Sequence, residues 1–309
     1  VTTVLIGAAF SALYVALSGF RAVVRTDVLQ LVLMYGGFFI LLPAALAHTG
    51  GFENLWGALP DSHRSWDGGL GWQTVLVWYL IALQTMVEPG FYQRVFAART
   101  PTVARTGVVV SVALWAVFDF FSIGCGLAAR VLLPHLEDPL TAYPALAALV
   151  LPPWLAAFFT LALFATVMST LDSYLFLSAA TAGHDLATRT SSPEEVLRRT
   201  RWGLVASAVL ASAGALLFSS AVTVWHHVGS VVTSALLLPV VGVHLPPRWR
   251  YSPTAATAAM IGAAAVAIGW ILAAGDSGYP FGIEPMFPAM GISVAVWVVD
   301  RITRRGSER

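Results

Sequence analysis

Residues 155–180 read LAAFFTLALFATVMSTLDSYLFLSAA, with Asp172 as the one charge in the stretch. About 20 apolar residues, rising 1.5 Å each, cross the roughly 30 Å hydrocarbon core of a bilayer. The stretch therefore predicts a membrane-spanning helix. Eight more segments read the same way: 2–19, 23–46, 71–92, 104–131, 203–219, 222–244, 254–274 and 284–300. The connections between them hold almost all the charge. The expectation is an all-α polytopic membrane protein with nine transmembrane helices.

Composition agrees. Of 309 residues, 58% are hydrophobic and 11% charged, and mean hydropathy is +0.77. A soluble domain carries about 25% charged residues. A net charge of +1 supplies no basic field for nucleic acid. All 17 basic residues are arginine, which excludes Schiff-base and phosphate-loop lysine chemistry. The single cysteine, Cys125, excludes an internal disulfide or a cysteine-based metal cluster. The chain opens on Val1 and runs straight into apolar sequence, which reads as a piece of a longer protein.

Arginine placement predicts orientation. One side carries Arg21, Arg25, Arg94, Arg99, Arg105, Arg189, Arg198, Arg199, Arg201, Arg248, Arg250, Arg301, Arg304, Arg305 and Arg309; the other carries Arg64 and Arg130. The richer side is expected to be cytoplasmic, with the C-terminus there. Residues 49–70 are a turn-rich outer loop. Residues 144–151, ending at Pro152-Pro153, are too short to span and predict a helix lying at the outer mouth. Ser191-Ser192-Pro193-Glu194-Glu195 reads as a helix start on the inner side, with proline and acids in the first turn.

Charge inside hydrocarbon is costly, so the polar residues within spans carry the functional reading. Four acids fall there: Asp27, Glu88, Asp119 and Asp172. No basic residue is placed deep enough to neutralise them. Thr166, Ser169, Thr170 and Ser173 recur at i, i+3, i+4 and i+7 and make one hydroxyl stripe. Such a stripe suits close helix packing; at midplane depth it equally suits a hard cation, which takes oxygen ligands. Asp27 and Ser173 lie about 10 Å and about 8 Å to the cytoplasmic side of the midplane by helical rise. In span 71–92, Gln84 stands near the midplane, and Glu88-Pro89-Gly90 breaks the helix, as transporters do where backbone lines a cavity. A plain helix end reads as well. The adjacent His226 and His227 point about 100° apart on a helix and make a poor chelating pair.

Three groups of residues together carry a resemblance: Ser169-Thr170 with Asp172-Ser173; Arg21-Ala22-Val23-Val24 with Thr26-Asp27 and Gln30; and Gln93-Arg94 with Ala97-Ala98-Arg99. In this the chain resembles the sodium:solute symporter family over essentially its whole length. The resemblance implies a ten-helix core of two inverted five-helix repeats. Residues 1–48 would be core helices four and five, 49–70 an outer loop, 71–244 core helices six to ten, and 245–309 two peripheral helices with a cytoplasmic tail. The first three core helices would be missing partners of this chain. A sodium site would use Thr166, Ser169 and Thr170, and a second site Asp27, Asp172 and Ser173. Gln84 and Glu88 would meet solute or gate it. Where sugar-transporting members carry asparagine, tyrosine and lysine, this chain has Ile81, Gln84 and Trp115, against a sugar substrate.

The functional expectation is sodium-coupled symport of a small organic solute across the cytoplasmic membrane by alternating access. Sodium is the coupling ion and no other cofactor is expected. Proton coupling through Asp27, Glu88 or Asp172 is the alternative, and a transporter-like solute sensor is another. An intramembrane enzyme is disfavoured. No zinc-ligating histidine–glutamate helix occurs, and His184-Asp185 lie at the cytoplasmic end of their span.

Overall fold

In a computed structural model, the structure describes residues 2–185, 192–218, 220–275 and 278–307. Arg189, Ser191 and Arg309, and the side chains of Ala22 and Arg305, lie outside the described residues. Twelve α-helices follow in order: α1 (Thr2–Thr49), α2 (Phe52–Ala58), α3 (Asp61–Arg64), α4 (Trp72–Ala82), α5 (Pro89–Phe96), α6 (Pro101–Leu132), α7 (Ala142–Val150), α8 (Pro153–Ala180), α9 (Pro193–Leu217), α10 (Ala221–Gly242), α11 (Pro253–Leu272) and α12 (Met286–Ser307). No strand occurs among the described residues. Among the described residues, eight segments are long and apolar enough to cross a membrane, from Val23–Thr49 to Met286–Arg304. The protein is a multi-pass helical membrane protein. The expected span 2–19 is not among those eight.

The chain divides into two compact units, one of residues 1–64 and 92–217, the other of residues 65–91 and 218–309. In the first unit, α1 takes in both expected spans, 2–19 and 23–46, within one helical segment. A straight helix would separate residues 11 and 37 by about 40 Å. Yet Ser11 donates to Met168 Sδ at 3.5 Å, and Gly37 sits against Ala162 and Phe159, residues only two turns away on α8. The chain must therefore fold back on itself. Val15 and Val23, one from each arm, meet in a single buried cluster with Leu175, Ala179 and Leu204. One arm runs alongside α8 in the same direction and the other returns against it.

The returning arm supplies the larger core. Phe38, Leu41, Leu42 and Ala45 pack with Cys125 and Ala128 of α6, Leu146 of α7 and Phe159 of α8. Phe38 meets Phe118, Tyr143 and Phe159 edge-on, with ring centroids 5.0–5.3 Å apart. Thr100 Oγ1 caps α6 by accepting from Val103 N at 3.2 Å, and Pro101 occupies the first turn, where no N–H is needed. The expected short helix before Pro152-Pro153 is α7. The expected start at Pro193 is also there: Ser192 Oγ accepts from Glu195 N at 3.2 Å. At its far end α8 loosens into a π-helical turn, Thr181–Asp185.

The approach of the returning arm to α8 depends on glycine. A Cβ at Gly37 would stand 2.7 Å from Ala162 Cβ and 3.2 Å from the Phe159 ring. Neither neighbour has a flexible end to move aside. Overpacking of this kind costs about 1–3 kcal/mol. Gly37→Ala is expected to lower the melting temperature of the detergent-solubilised protein by several degrees, while Gly7→Ala, where nothing stands within 4 Å, leaves it within error. Equal melting of the two variants would contradict this packing.

In the second unit, α10, α11 and α12 pack through an alanine seam of Ala235, Ala263, Ala267 and Ala289. Small residues let helices approach closely where lipid offers no hydrophobic drive. Ser293 Oγ donates to Ser234 O at 3.0 Å inside that seam. Val77 and Ile81 of α4 join Met286 in a second cluster, and Ile81 presses on Gly229.

Candidate functional site

The hydroxyl stripe on α8 resolves into two kinds of side chain. Thr166 Oγ1 donates to Ala162 O at 2.9 Å, and Thr170 Oγ1 to Thr166 O at 3.3 Å. A hydroxyl whose proton goes to its own helix presents lone pairs outward, the form in which it can ligate a cation. Ser169 differs: its Oγ donates to Asp27 Oδ1 at 2.8 Å. One helical turn on, Ser173 Oγ accepts from Arg94 Nη2 at 2.8 Å, and the same nitrogen donates to Asp27 Oδ2 at 3.0 Å. Asp27 thus lies across the face of α8 that carries Ser169 and Ser173.

One expectation is overturned here. The sequence places no basic residue deep enough in a span to neutralise the acids. Arg94, counted with the loop arginines, reaches back along its flexible stem to pair with Asp27. Its side chain is 38% exposed and that of Asp27 22%, so the pair is partly screened and contributes about 1 kcal/mol at most.

Asp172 occupies the adjoining face of α8. It is 1% exposed, Ser11 and Gln30 turn toward it, and its Oδ1 has no hydrogen-bond partner. A cleft of about 280 Å³ runs past it, lined by Phe10, Thr26, Gln30, Phe164 and Met168 among others. Asp27 and Ser173 therefore share one guanidinium nitrogen, while Asp172 faces a different set of polar groups. Of the four acids, Asp119 stands exposed on α6.

The break expected at Glu88-Pro89-Gly90 starts earlier. α4 ends at Ala82, a 3-10 turn covers Leu83–Met86, and Val87 leaves helical geometry (φ −123°, ψ 3°) before α5 begins. Gln84 sits in that turn with its Oε1 buried and unpartnered. Glu88 Oε1 accepts from Gly90 N at 3.4 Å, which makes it a cap for the helix that Pro89 begins.

A model of the sodium:solute symporter family matches residues 1–244. The chain belongs to that family. As a sodium:solute symporter family member it stands among transporters rather than enzymes. It is 27% identical over 217 residues to the sodium/pantothenate symporter of Escherichia coli K12, covering 68% of this chain and 45% of that protein. It is 22% identical over 274 residues to the high-affinity choline transporter 1 of Caenorhabditis elegans, covering 80% and 46%. The chain spans about half the length of the curated relatives it matches. In fold it is similar to a Na+-coupled sialic acid symporter solved in a substrate-bound outward-open state: the TM-score is 0.73 at 20% identity, over 97% of this chain and 65% of that one.

Within this symporter-family chain, sequence reasoning missed Arg94, Ser11 and Gln30. Gln30 stood in the quoted motif, one turn from Asp27, and its spacing was the available signal. Ser11 gave none, because a chain reversal delivers it to a helix 157 residues away in sequence. The His226-His227 pair also gains partners. His226 Nε2 lies 3.6 Å from Glu284 Oε2, and His227 Nε2 lies 3.0 Å from the Tyr279 hydroxyl. α12 begins at Met286 rather than 284, which leaves Glu284 in the preceding connection. Burial pushes its carboxyl above the usual carboxylate range, with His227 pulling the other way.

Proposed function

We propose that this chain forms the coupling-ion portion of a sodium-driven symporter for a small organic solute in the cytoplasmic membrane, with its C-terminus in the cytoplasm. Sodium is held by Thr166, Ser169 and Thr170, and Asp27 with Ser173 offers a second position that the Arg94 guanidinium holds in this conformation. The observation that carries the reading is the 2.8 Å contact of Ser169 with Asp27. It brings a carboxylate onto the α8 face beside hydroxyls that keep their lone pairs outward. Family membership and the pantothenate, choline and sialic acid transporters among its relatives support a solute of that size. Gln84, with a buried and unpartnered carbonyl oxygen, is the solute contact we favour over Glu88. Residues 1–48 and 71–244 are read as parts of two inverted repeats, as the family resemblance implies, and 2–19 as the ninth span.

Proton coupling has one observation in its favour, the buried and unpartnered Oδ1 of Asp172. The deciding experiment reconstitutes the protein in liposomes and follows uptake of labelled pantothenate, choline and sialic acid under an inward sodium gradient. Sodium coupling predicts uptake that a potassium gradient of equal size does not drive. Uptake driven equally by an inward proton gradient without sodium would reject sodium as the coupling ion.

A further inference from the structure

In the second unit, residues 245–252 join α10 to α11 beside the last turns of α12. Trp249 and Trp297 stack there, with ring centroids 5.6 Å apart at 14°, and Trp297 Nε1 donates to Trp249 O at 2.9 Å. The guanidinium carbon of Arg301 lies 4.4 Å from the Trp249 ring centroid and 5.4 Å from that of Trp297. Tyr251 fastens the corner by donating to Ser293 O at 2.9 Å. Two indoles and an arginine are thus held in one fixed arrangement.

The charge of this corner is unbalanced. Residues 245–252 and 297–307 contain four arginines with described side chains, Arg248, Arg250, Arg301 and Arg304, and one acid, Asp300. Asp300 is already engaged: it accepts from Ser252 Oγ at 2.6 Å and Ser252 N at 2.9 Å, and it pairs with Arg304 at 2.8 Å. Arg250 Nε is spent on Leu245 O at 2.7 Å. Among the described residues, neither Arg248 nor Arg301 has a carboxylate within ion-pair distance. Arg301 Nη1 is buried with no hydrogen-bond partner, although the side chain as a whole stays partly open.

Stacking on aromatic faces holds a guanidinium plane in place, and its remaining N–H groups match a phosphate bidentately. The position on the chain fixes the setting. These groups lie at the end of a spanning helix, and tryptophan pairs at such ends sit at headgroup level. Basic pockets between helices at that level suit anionic headgroups. We propose that the Trp249–Trp297–Arg301 corner, with Arg248 beside it, is a binding site for the phosphate of an anionic phospholipid.

The test is native mass spectrometry of the protein released from nanodiscs of phosphatidylglycerol or of phosphatidylcholine. Phosphatidylglycerol is expected to stay bound where phosphatidylcholine does not. Arg301→Gln should lower its retention about fivefold, as one interfacial arginine contributes, and Arg248→Gln by a similar factor. Arg248 is exposed, so that variant keeps the test open if loss of the Arg301 stack weakens folding. Arg130→Gln serves as control, since Arg130, on α6, donates to Pro134 O just beyond that helix. Equal retention of the two lipids, or retention unchanged in both corner variants, would overturn the proposal. A parallel arm adds millimolar inorganic phosphate to lipid-free detergent. If phosphate raises the melting temperature through Arg301 and displaces the lipid, the ligand is free phosphate and the lipid assignment fails.

Discussion

The double variant Ser169→Ala/Thr170→Ala is expected to need at least about tenfold more sodium for half-maximal uptake in proteoliposomes. Two oxygens leave the α8 face, and contacts of a neutral group with a charged one contribute about 1.5–3 kcal/mol each. Each 1.4 kcal/mol is about tenfold in an equilibrium constant. Folding should not be the cause of the loss, because alanine is the better helix former at both positions. The single variants separate two contributions. Thr170→Ala removes an outward oxygen alone, whereas Ser169→Ala also unties Asp27. Thr160→Ala is the matched control, since Thr160 likewise bonds its own helix, at Ala156 O, on an exposed face. Unchanged sodium dependence in the double variant would remove α8 from the ion site.

The second large effect is expected at the Asp27–Arg94 pair. If the Asp27 carboxylate is a cation ligand, the guanidinium competes with sodium for it. Arg94→Gln should then lower the half-saturating sodium concentration by roughly fivefold, the factor that matches about 1 kcal/mol for a partly exposed pair. Asp27→Asn should raise it, or cut the number of ions per cycle. The double variant should not be the sum of the two, because residues in direct contact couple by about 0.5–3 kcal/mol. Additive effects, or Arg94→Gln leaving sodium affinity untouched, would reduce the pair to a structural tie at the end of the span.

The spans were legible because apolar runs such as 155–180 have no other solution in a chain so poor in charge. The register of Asp27 on the α8 stripe was also within reach, since helical rise put Asp27 and Ser173 at nearly one depth. What rise cannot give is azimuth across helices. Asp172 and Ser173 are neighbours in sequence, yet 100° of helical turn sends one to Ser11 and Gln30 and the other to Arg94. Arg94 was hidden for a different reason. Loop counting assigns an arginine by its backbone, and this one acts through a long stem that carries its head elsewhere. Glu88 carried two readings, and the structure supplies a local one. Its carboxylate accepts from Gly90 N at the start of the helix that Pro89 begins.

The fold-back of α1 has a consequence for how the protein is made. Both arms emerge from the ribosome long before α8, the helix they flank. Asp27 precedes Arg94 by 67 residues and Ser169 by 142. At about 5–20 residues per second, Arg94 follows after roughly 3–15 s, and Ser169 after roughly 7–30 s. Over that interval the nascent hairpin holds a carboxylate whose eventual partners have not been translated. Such a group must wait at the lipid headgroups or in the shelter of the insertion machinery. The Ser169 contact is therefore also a timing mark, closing only once α8 has entered the membrane, later than Arg94 becomes available to pair.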